Sequence, residues 1–325
     1  MDCCVDRIHK VYYKRSGGYK ICIKRNQALD KTRMGMGTRL ICSLNSFMIK
    51  NKRHLLHILK VSSERLDYIL THLDEFYYSF DKIKMDKLTG KPKLDGDGNV
   101  KKRTINSSKG DLKIIQSRIY KFLLSNITLP DFFYGGVKKK NNILNARFHQ
   151  GNKYIFTTDL KSFFPSISHK RVYSTLVTLS FTPDIARIVT RLITRNGQVP
   201  QGIPTSTLIA NLVFLPIGQI ISDVAMKNKI KFTIYVDDMT LSSSKDFKHL
   251  IPDFLKILRD NGFKISHNKT FYRTRNPVVT GVVVHNNKLR HQPGYNKIVA
   301  RLKNDENAAK SLNGVVSYLN RIENA

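Results

Sequence analysis

Acidic residues are scarce in this chain: 24 Asp and Glu stand against 56 Lys and Arg over 325 residues, a formal net charge of +32. That excess makes a merely soluble basic protein a poor reading and favours a polyanionic partner. Membrane-surface binding is the competing use of the charge, but no amphipathic basic helix stands out. Cysteine is sparse too. Cys3, Cys4, Cys22 and Cys42 form no CxxC pair, which argues against zinc and disulfides and suits reduced thiols in a cytoplasm. The opening MDCCVDRIHKVYY lacks the apolar segment of a secretory signal. The longest apolar stretch, 208–221, is interrupted by Asn211, Pro216 and Gln219 and is too short to span a bilayer. A cytoplasmic protein without a membrane partner is expected. Hydrophobic residues make up 41% of the chain, enough for a globular fold with one large core or two to three subdomains.

Because acids are few, their placement is informative. In KFTIYVDDMTLSS (231–243), Asp237 and Asp238 lie between two β-prone apolar runs, the pattern of a hairpin with an acidic tip. Alternation along extended chain presents one carboxylate to a cleft and leaves the other nearer the flank. Charge between apolar strands is costly unless something cancels it. Mg²⁺, which takes one or two carboxylates plus substrate phosphates, would do so; a solvated turn is the plainer alternative. A third carboxylate, Asp159, ends the apolar run of YIFTTDLKSFFPSIS (154–168). Two-metal phosphoryl transfer needs carboxylates that converge from separate strands and hold two ions about 3.5–4 Å apart. Asp159, Asp237 and Asp238 are the candidate set.

The remaining pattern is mixed helix and strand. KVYYKRSGGYKICIKR (10–25) reads as a hairpin turning at Gly17-Gly18, with Tyr19, Ile21 and Ile23 on one face. Residues 53–80 show helical spacing, with Ser62 or Ser63 as a cap. Residues 80–105 read as a basic hairpin; Asp95, Asp97 and Asn99 imitate a calcium loop, but Val100 and Asn106 stand where that loop needs Gly and Glu, so calcium is rejected. Residues 111–127 form an amphipathic helix with Ile115, Ile119, Phe122 and Leu123 inward. A turn at Gly135-Gly136 precedes the run 138–140, which either is solvated or guides nucleic acid. Residues 170–198 look helical and basic. Two strands surround a turn at Asn286-Asn287, and two helices, 295–303 and 307–322, end the chain.

Several of these strings carry a family resemblance. YVDD after its apolar strand resembles motif C of reverse transcriptases, and DLKSFFPSI (159–167) resembles motif A. VPQGIPTSTLIANLVF (199–214) is similar to motif B, and GFKISHNKT (262–270) to motif D. NARFH (145–149) and VTG (279–281) resemble the NAxxH and VTG elements of the reverse transcriptases of bacterial retrons. Order and spacing over residues 60–320 make the joint match specific. Motif B departs from the usual pattern at Thr207, where proline is common, and in ending on LPIGQIISD.

The resemblance implies an α+β, right-hand polymerase fold of fingers, palm and thumb, with an antiparallel palm sheet carrying the catalytic carboxylates. Its expected division is a basic N-terminal extension at 1–52, fingers at 53–151, palm at 152–284 with inserted fingers helices at 170–198, and a short thumb at 285–325. It implies RNA-directed DNA synthesis with two Mg²⁺ ions, Mn²⁺ substituting, held by Asp159, Asp237, Asp238 and the Leu160 carbonyl. For nucleotide binding it implies Arg103 of the RxI string on the triphosphate, Phe164 beside the sugar 2′ position, Gln201 against the nucleotide, and Lys269 as proton donor to pyrophosphate. Phe164 also reads as a core residue, and Lys269 as a simple phosphate contact. Lys113 and Gln116 match an LKxIQ string, either exposed helix positions or template contacts. RNA contacts are expected from Asn145, His149, Lys297, Arg301 and Lys303, although His149 equally suits a buried backbone partner.

Retron resemblance further implies a cognate structured noncoding RNA, priming from its own 2′-hydroxyl, and a branched RNA–DNA product that stays bound. The partners would be deoxynucleotides, an effector protein in phage defence, and host RNase H, since no later segment houses such a domain. Group II intron-like, diversity-generating and abortive-infection reverse transcriptases are the enzyme alternatives. A catalytically inactive RNA-binding scaffold is the alternative of another class.

Overall fold

The computed structural model describes residues 10–15, 18–23, 49, 51–86, 89–305 and 308–325, the first two stretches as backbone alone. Strands β1 (Lys10–Arg15) and β2 (Gly18–Ile23) pair as the expected hairpin, Arg15 opposite Gly18. Gly17, Cys3, Cys4 and Cys42 lie outside the described residues. Helices α1 (Lys52–Leu59) and α2 (Ser63–Thr71) follow, with Asn51 and Ser62 accepting the amides of His54 and Arg65 as N-caps.

Strands β3 (Tyr77–Ile83) and β4 (Lys102–Ser108) form the basic hairpin. At its tip the Asp95 carboxylate accepts the amides of Asp97 and Asn99, so it caps a turn. Helix α3 (Gly110–Arg118) passes into a π-helical turn over Ile119–Leu124. The wider turn changes the side-chain phase. Phe122, expected inward, is therefore exposed, and Leu124 fills the interior.

Then come α4 (Asn142–Phe148), β5 (Tyr154–Asp159), α5 (Phe163–Ser166), α6 (His169–Thr178), α7 (Pro183–Ile193) and α8 (Ser206–Lys227). Strands β6 (Lys231–Tyr235) and β7 (Asp238–Ser243), α9 (Ile251–Asp260) and β8 (Phe271–Arg273) follow. Short strands β9 (Val278–Val279), β10 (Val282–Val284) and β11 (Leu289–His291) precede α10 (Gly294–Lys303) and α11 (Ala309–Glu323).

The site depends on one antiparallel sheet, ordered β6-β7-β5-β8. Its register sets Asp159 opposite Asp238 and Ile155 opposite Ser242. Side chains alternate between faces, so Phe156, Phe232, Ile234, Met239 and Leu241 share the back face and enter the main core. α8 lies in that core with Ile209, Ala210, Leu212 and Phe214 buried. The apolar run was expected to be too short for a bilayer. The helix instead continues through Pro216 for 22 residues and is long and apolar enough to cross one, although 61% of its apolar window is buried against the rest of the fold.

The front face carries Ile155, Asp159, Asp238 and Ser242. Its lower half is covered by a second core: Ile155 packs with Ile143 and Ala146 of α4, Val279, Val282, Val284 and Leu289 of the β9–β11 sheet, and Ile322 of α11. This brings NARFH and VTG together. Asn142 donates to the Thr280 carbonyl at 3.2 Å and to the Tyr318 hydroxyl at 2.7 Å, and the Thr280 hydroxyl donates to the Asn142 carbonyl.

Candidate active site

β6 and β7 are joined through Val236 and Asp237, with Tyr235 paired to Asp238. Val236 has φ +61°. For a β-branched residue this left-handed conformation is a genuine outlier, costing about 1–3 kcal/mol, and persists only where surrounding structure dictates it. The surrounding structure here is a strap along the outer side of β6. The Ile234 amide donates to the Phe132 carbonyl at 2.8 Å, and Tyr134 donates back to Ile234 at 2.9 Å. The strap ends at Gly135, whose carbonyl accepts from buried Asn211 of α8 at 2.9 Å. A Cβ on Gly135 would collide with the Val236 amide and stand 2.6 Å from its Cγ2. Only glycine lets the strap approach the turn so closely.

The turn corrects one expectation. Asp237 belongs to the bend and not to a strand, so alternation does not send it away from Asp238. One carboxylate oxygen from each of Asp159, Asp237 and Asp238 lies within 4.8 Å of the others. The Leu160 amide donates to the Asp237 carbonyl at 2.9 Å, tying the end of β5 to the turn. Burial first, and Asp159 second, push the Asp237 carboxyl up; Lys269 and Arg103 oppose that. This all-oxygen, anionic donor set suits a hard divalent cation.

Asp159 is held on both oxygens. Ser266 donates to Oδ1 at 2.6 Å and Lys269 to Oδ2 at 2.7 Å. Arg103 is exposed on β4 and its charge is felt at Asp237. Lys84 was missed by sequence reasoning. Burial, followed by Arg103 and Lys269, pushes its ammonium below the usual lysine value, so three cations edge the carboxylates. The overlooked signal is register: Lys82 pairs with Arg103, and Lys84, two residues on, shares that face. Of the expected helpers, Lys101 also acts on Lys84, whereas Lys102 has the opposite parity.

Gln201 is half-buried and its carbonyl accepts the Asn106 amide of β4 at 2.8 Å. A Cβ on Gly202 (φ +113°) would stand 2.8 Å from Ile105 Cγ2, so the PQG turn closely approaches this strand. Phe164 is half-buried, packed on the main core with its ring centre 5.8 Å from that of fully interior Phe163.

Three polar expectations are corrected by burial. His149 is wholly interior: one ring nitrogen bonds the Ser242 hydroxyl at 2.7 Å and the other the Thr233 hydroxyl at 2.8 Å. Burial pushes its pKa down to about 3, so it is a neutral strut between α4 and the sheet. Asn145 is equally buried and donates to Thr280. Neither side chain presents a surface to RNA. Gln116 is also interior, joined to Ser108, Tyr77 and the Leu192 carbonyl.

Lys297, Arg301 and Lys303 are exposed on α10. Lys297 and Arg301 lie one turn apart, but Lys303 is about 200° around the helix from Arg301, so the three do not share one face. The Arg301 guanidinium reaches the β3–β4 hairpin tip, 3.5 Å from the Thr89 carbonyl.

Residues 89–284 match the reverse transcriptase (RNA-dependent DNA polymerase) family. Over 195 residues the chain is 34% identical to the Retron Se72 reverse transcriptase of Salmonella heidelberg (strain 579083-10), a match covering 58% of this chain and 47% of that one. It is 30% identical over 193 residues to the Retron Ec86 reverse transcriptase of Escherichia coli, covering 58% and 60%. The chain thus spans about half the length of the curated relatives it matches. A telomerase from Candida albicans, solved with a telomeric RNA fragment, overlays 59% of this chain and 41% of its own at a TM-score of 0.40 and 13% identity, too loose a likeness to carry an argument.

Proposed function

Since this chain belongs to the reverse transcriptase (RNA-dependent DNA polymerase) family, we propose that it copies an RNA template into DNA at the Asp159, Asp237 and Asp238 cluster. The observation that supports this reading most directly is the convergence of these carboxylates from β5 and the β6–β7 turn, inside the matched region. Two divalent cations, Mg²⁺ by preference, held there with the Leu160 carbonyl would neutralise developing phosphate charge and lower the pKa of the attacking hydroxyl. Arg103, joined by Lys84, holds the triphosphate with charge-assisted donors. Gln201 packs against the nucleotide, and Lys269 supplies a proton to the departing pyrophosphate. Residues 53–151 act as fingers, 152–284 as palm and 285–325 as thumb. An inactive RNA-binding scaffold would have no use for a costly cluster of three carboxylates in so basic a chain.

Phe164 acts as the sugar gate on this reading. Phe164→Ala is expected to raise use of ribonucleotides relative to deoxynucleotides by about ten-fold or more, because it opens space beside the 2′ position. Primer extension with each nucleotide class measures the ratio. Unchanged discrimination would leave Phe164 with a packing role only.

The retron resemblance of NARFH and VTG, together with the Se72 and Ec86 relatives, supports a cognate structured noncoding RNA as template. Synthesis would start from its own 2′-hydroxyl, yielding a branched RNA–DNA, with an effector protein and host RNase H as further partners in phage defence. Folded RNA is read through shape, phosphates and 2′-hydroxyls, and the Lys297–Arg301 face of α10 supplies cations for that. Lys297→Ala with Arg301→Ala should weaken binding of the copurifying RNA and reduce its salt slope by about 2, while Lys303→Ala changes it less. Sequencing the bound nucleic acid and comparing its affinity with that of a generic primer–template tests the retron assignment. Equal affinity for both in the unaltered protein would reduce the reading to a general reverse transcriptase.

A further inference from the structure

We infer that Lys269 is the built-in counter-ion of the metal-free carboxylate cluster, and that uptake of a divalent cation ejects its ammonium from Asp159, arming it for a nucleoside triphosphate. This deepens the reading of the cluster as a metal site and rests on it.

The segment carrying Lys269 is zipped onto the end of β5. The Lys161 amide donates to the Lys264 carbonyl at 2.8 Å, Leu160 bridges Ile265, and the Ser266 amide donates to the Asp159 carbonyl at 2.9 Å. Ser266 and Lys269 then occupy the two Asp159 oxygens, at 2.6 and 2.7 Å. The ion pair is asymmetric. Asp159 is 7% exposed and fixed by its strand, whereas 65% of the Lys269 side chain is exposed. One partner cannot leave and the other can.

A largely buried carboxylate beside two others needs a compensating cation, since stripping a buried charge of its partner is strongly destabilising. Lys269 is the cation in direct contact with Asp159. A divalent ion meets a carboxylate oxygen at about 2.0–2.1 Å for Mg²⁺. An ammonium bonded to the same carboxylate would then face a doubly charged neighbour at close range, which repels it. The ion and the ammonium would therefore compete for the Asp159 carboxylate. The Ser266 hydroxyl is neutral and can remain, orienting the carboxylate as an outer partner.

Ejection has a consequence for substrate. With the ion bound, Lys269 no longer neutralises Asp159 and joins Arg103 and Lys84 on the rim. The rim then carries three cations able to meet a polyphosphate, where the metal-free protein had spent one of them internally. Metal uptake would thus precede and strengthen triphosphate capture, and it would deliver the proton-donating lysine to the same anion.

The probe is Mn²⁺ alone, with binding to the nuclease-treated full chain followed by paramagnetic resonance of the free ion. Lys269→Ala is expected to bind the tightest ion about ten-fold more tightly than the unaltered protein, the scale of one charged hydrogen bond. Lys269→Arg should stay near the starting affinity. In the unaltered protein, acetylation of Lys269 by a water-soluble active ester, read by peptide mass spectrometry, should speed up several-fold on adding Mn²⁺, with Lys264 as the internal reference. Equal or weaker Mn²⁺ binding by Lys269→Ala, or metal-independent acetylation of Lys269, overturns the counter-ion role. Asp237→Asn separates the two readings. If it abolishes the tight site while Lys269→Ala leaves affinity unchanged, the metal site stands and the exchange fails. If the unaltered protein shows no specific Mn²⁺ binding, both fail.

Discussion

Asp237→Asn and Asp159→Asn are each expected to lower deoxynucleotide incorporation by about 10³-fold or more while leaving retention of RNA within a few-fold. A lost metal ligand forfeits several kcal/mol of transition-state charge stabilisation, and each 1.36 kcal/mol is a factor of ten in rate. RNA affinity comes chiefly from phosphate contacts by the many cations, which neither substitution touches. The two variants should differ in stability. Burial and Asp159 raise the Asp237 carboxyl above its ordinary value. A raised folded-state value means that the charged form opposes folding as pH climbs through the carboxylate range. At neutral pH, Asp237→Asn removes that opposition, so the metal-free variant should melt no lower than the parent. Asp159→Asn instead places an amide N–H₂ beside the ammonium of Lys269 or the hydroxyl of Ser266, replacing an acceptor with a donor, and should melt lower. Primer extension and thermal melts in chelator measure both effects. Full extension by both variants would end the polymerase assignment.

Gly135→Ala is expected to cost about 10²-fold in extension rate although the residue touches no substrate. Its added methyl would stand 2.6 Å from Val236 Cγ2 and 2.8 Å from the Tyr235 carbonyl carbon. Those are backbone-anchored neighbours, so either the strap withdraws from β6 or the turn moves. A movement of 1 Å at a reacting group can cost a hundred-fold. Val236 already holds an unfavourable φ of +61°, and a displaced strap removes part of what enforces it. Gly96 provides the control, because a Cβ there meets nothing within 4 Å; Gly96→Ala should leave the rate unchanged. Single-nucleotide incorporation kinetics on the two variants decide the matter. A Gly135→Ala enzyme with parental rate would show that the turn does not depend on its strap.

Much of this protein follows from local pattern. Apolar alternation ending in Asp159 and a two-residue link before Asp238 suffice to put carboxylates at neighbouring strand ends, because strand geometry has period two and a short loop leaves little choice of pairing. The charge excess indicates a polyanion for an equally direct reason, since summed charge acts at long range whatever the fold. The helical lead-in over α1 and α2 and the two terminal helices are read from spacing in the same way.

Other features depended on which faces were covered, and that is decided by residues far apart in the chain. His149 and Asn145 looked available for RNA because nothing within residues 145–149 shows that Thr280 will meet Asn145 or that Thr233 and Ser242 of the central sheet will enclose His149. Gln116 turned inward because Leu192, 76 residues later, offers it a carbonyl. Lys84 joined the site through its register in a hairpin whose strands are separated by a long tip. Asp237 met its partners because the strap and the Leu160 amide hold the turn against β5. Which groups are charged, which segments are periodic and where the carboxylates fall along their strands can be read directly from the residue order, since these rest on near-neighbour geometry. Which of those groups face water and which face one another emerges with the packed fold, because burial is a property of surfaces brought together from distant parts of the chain.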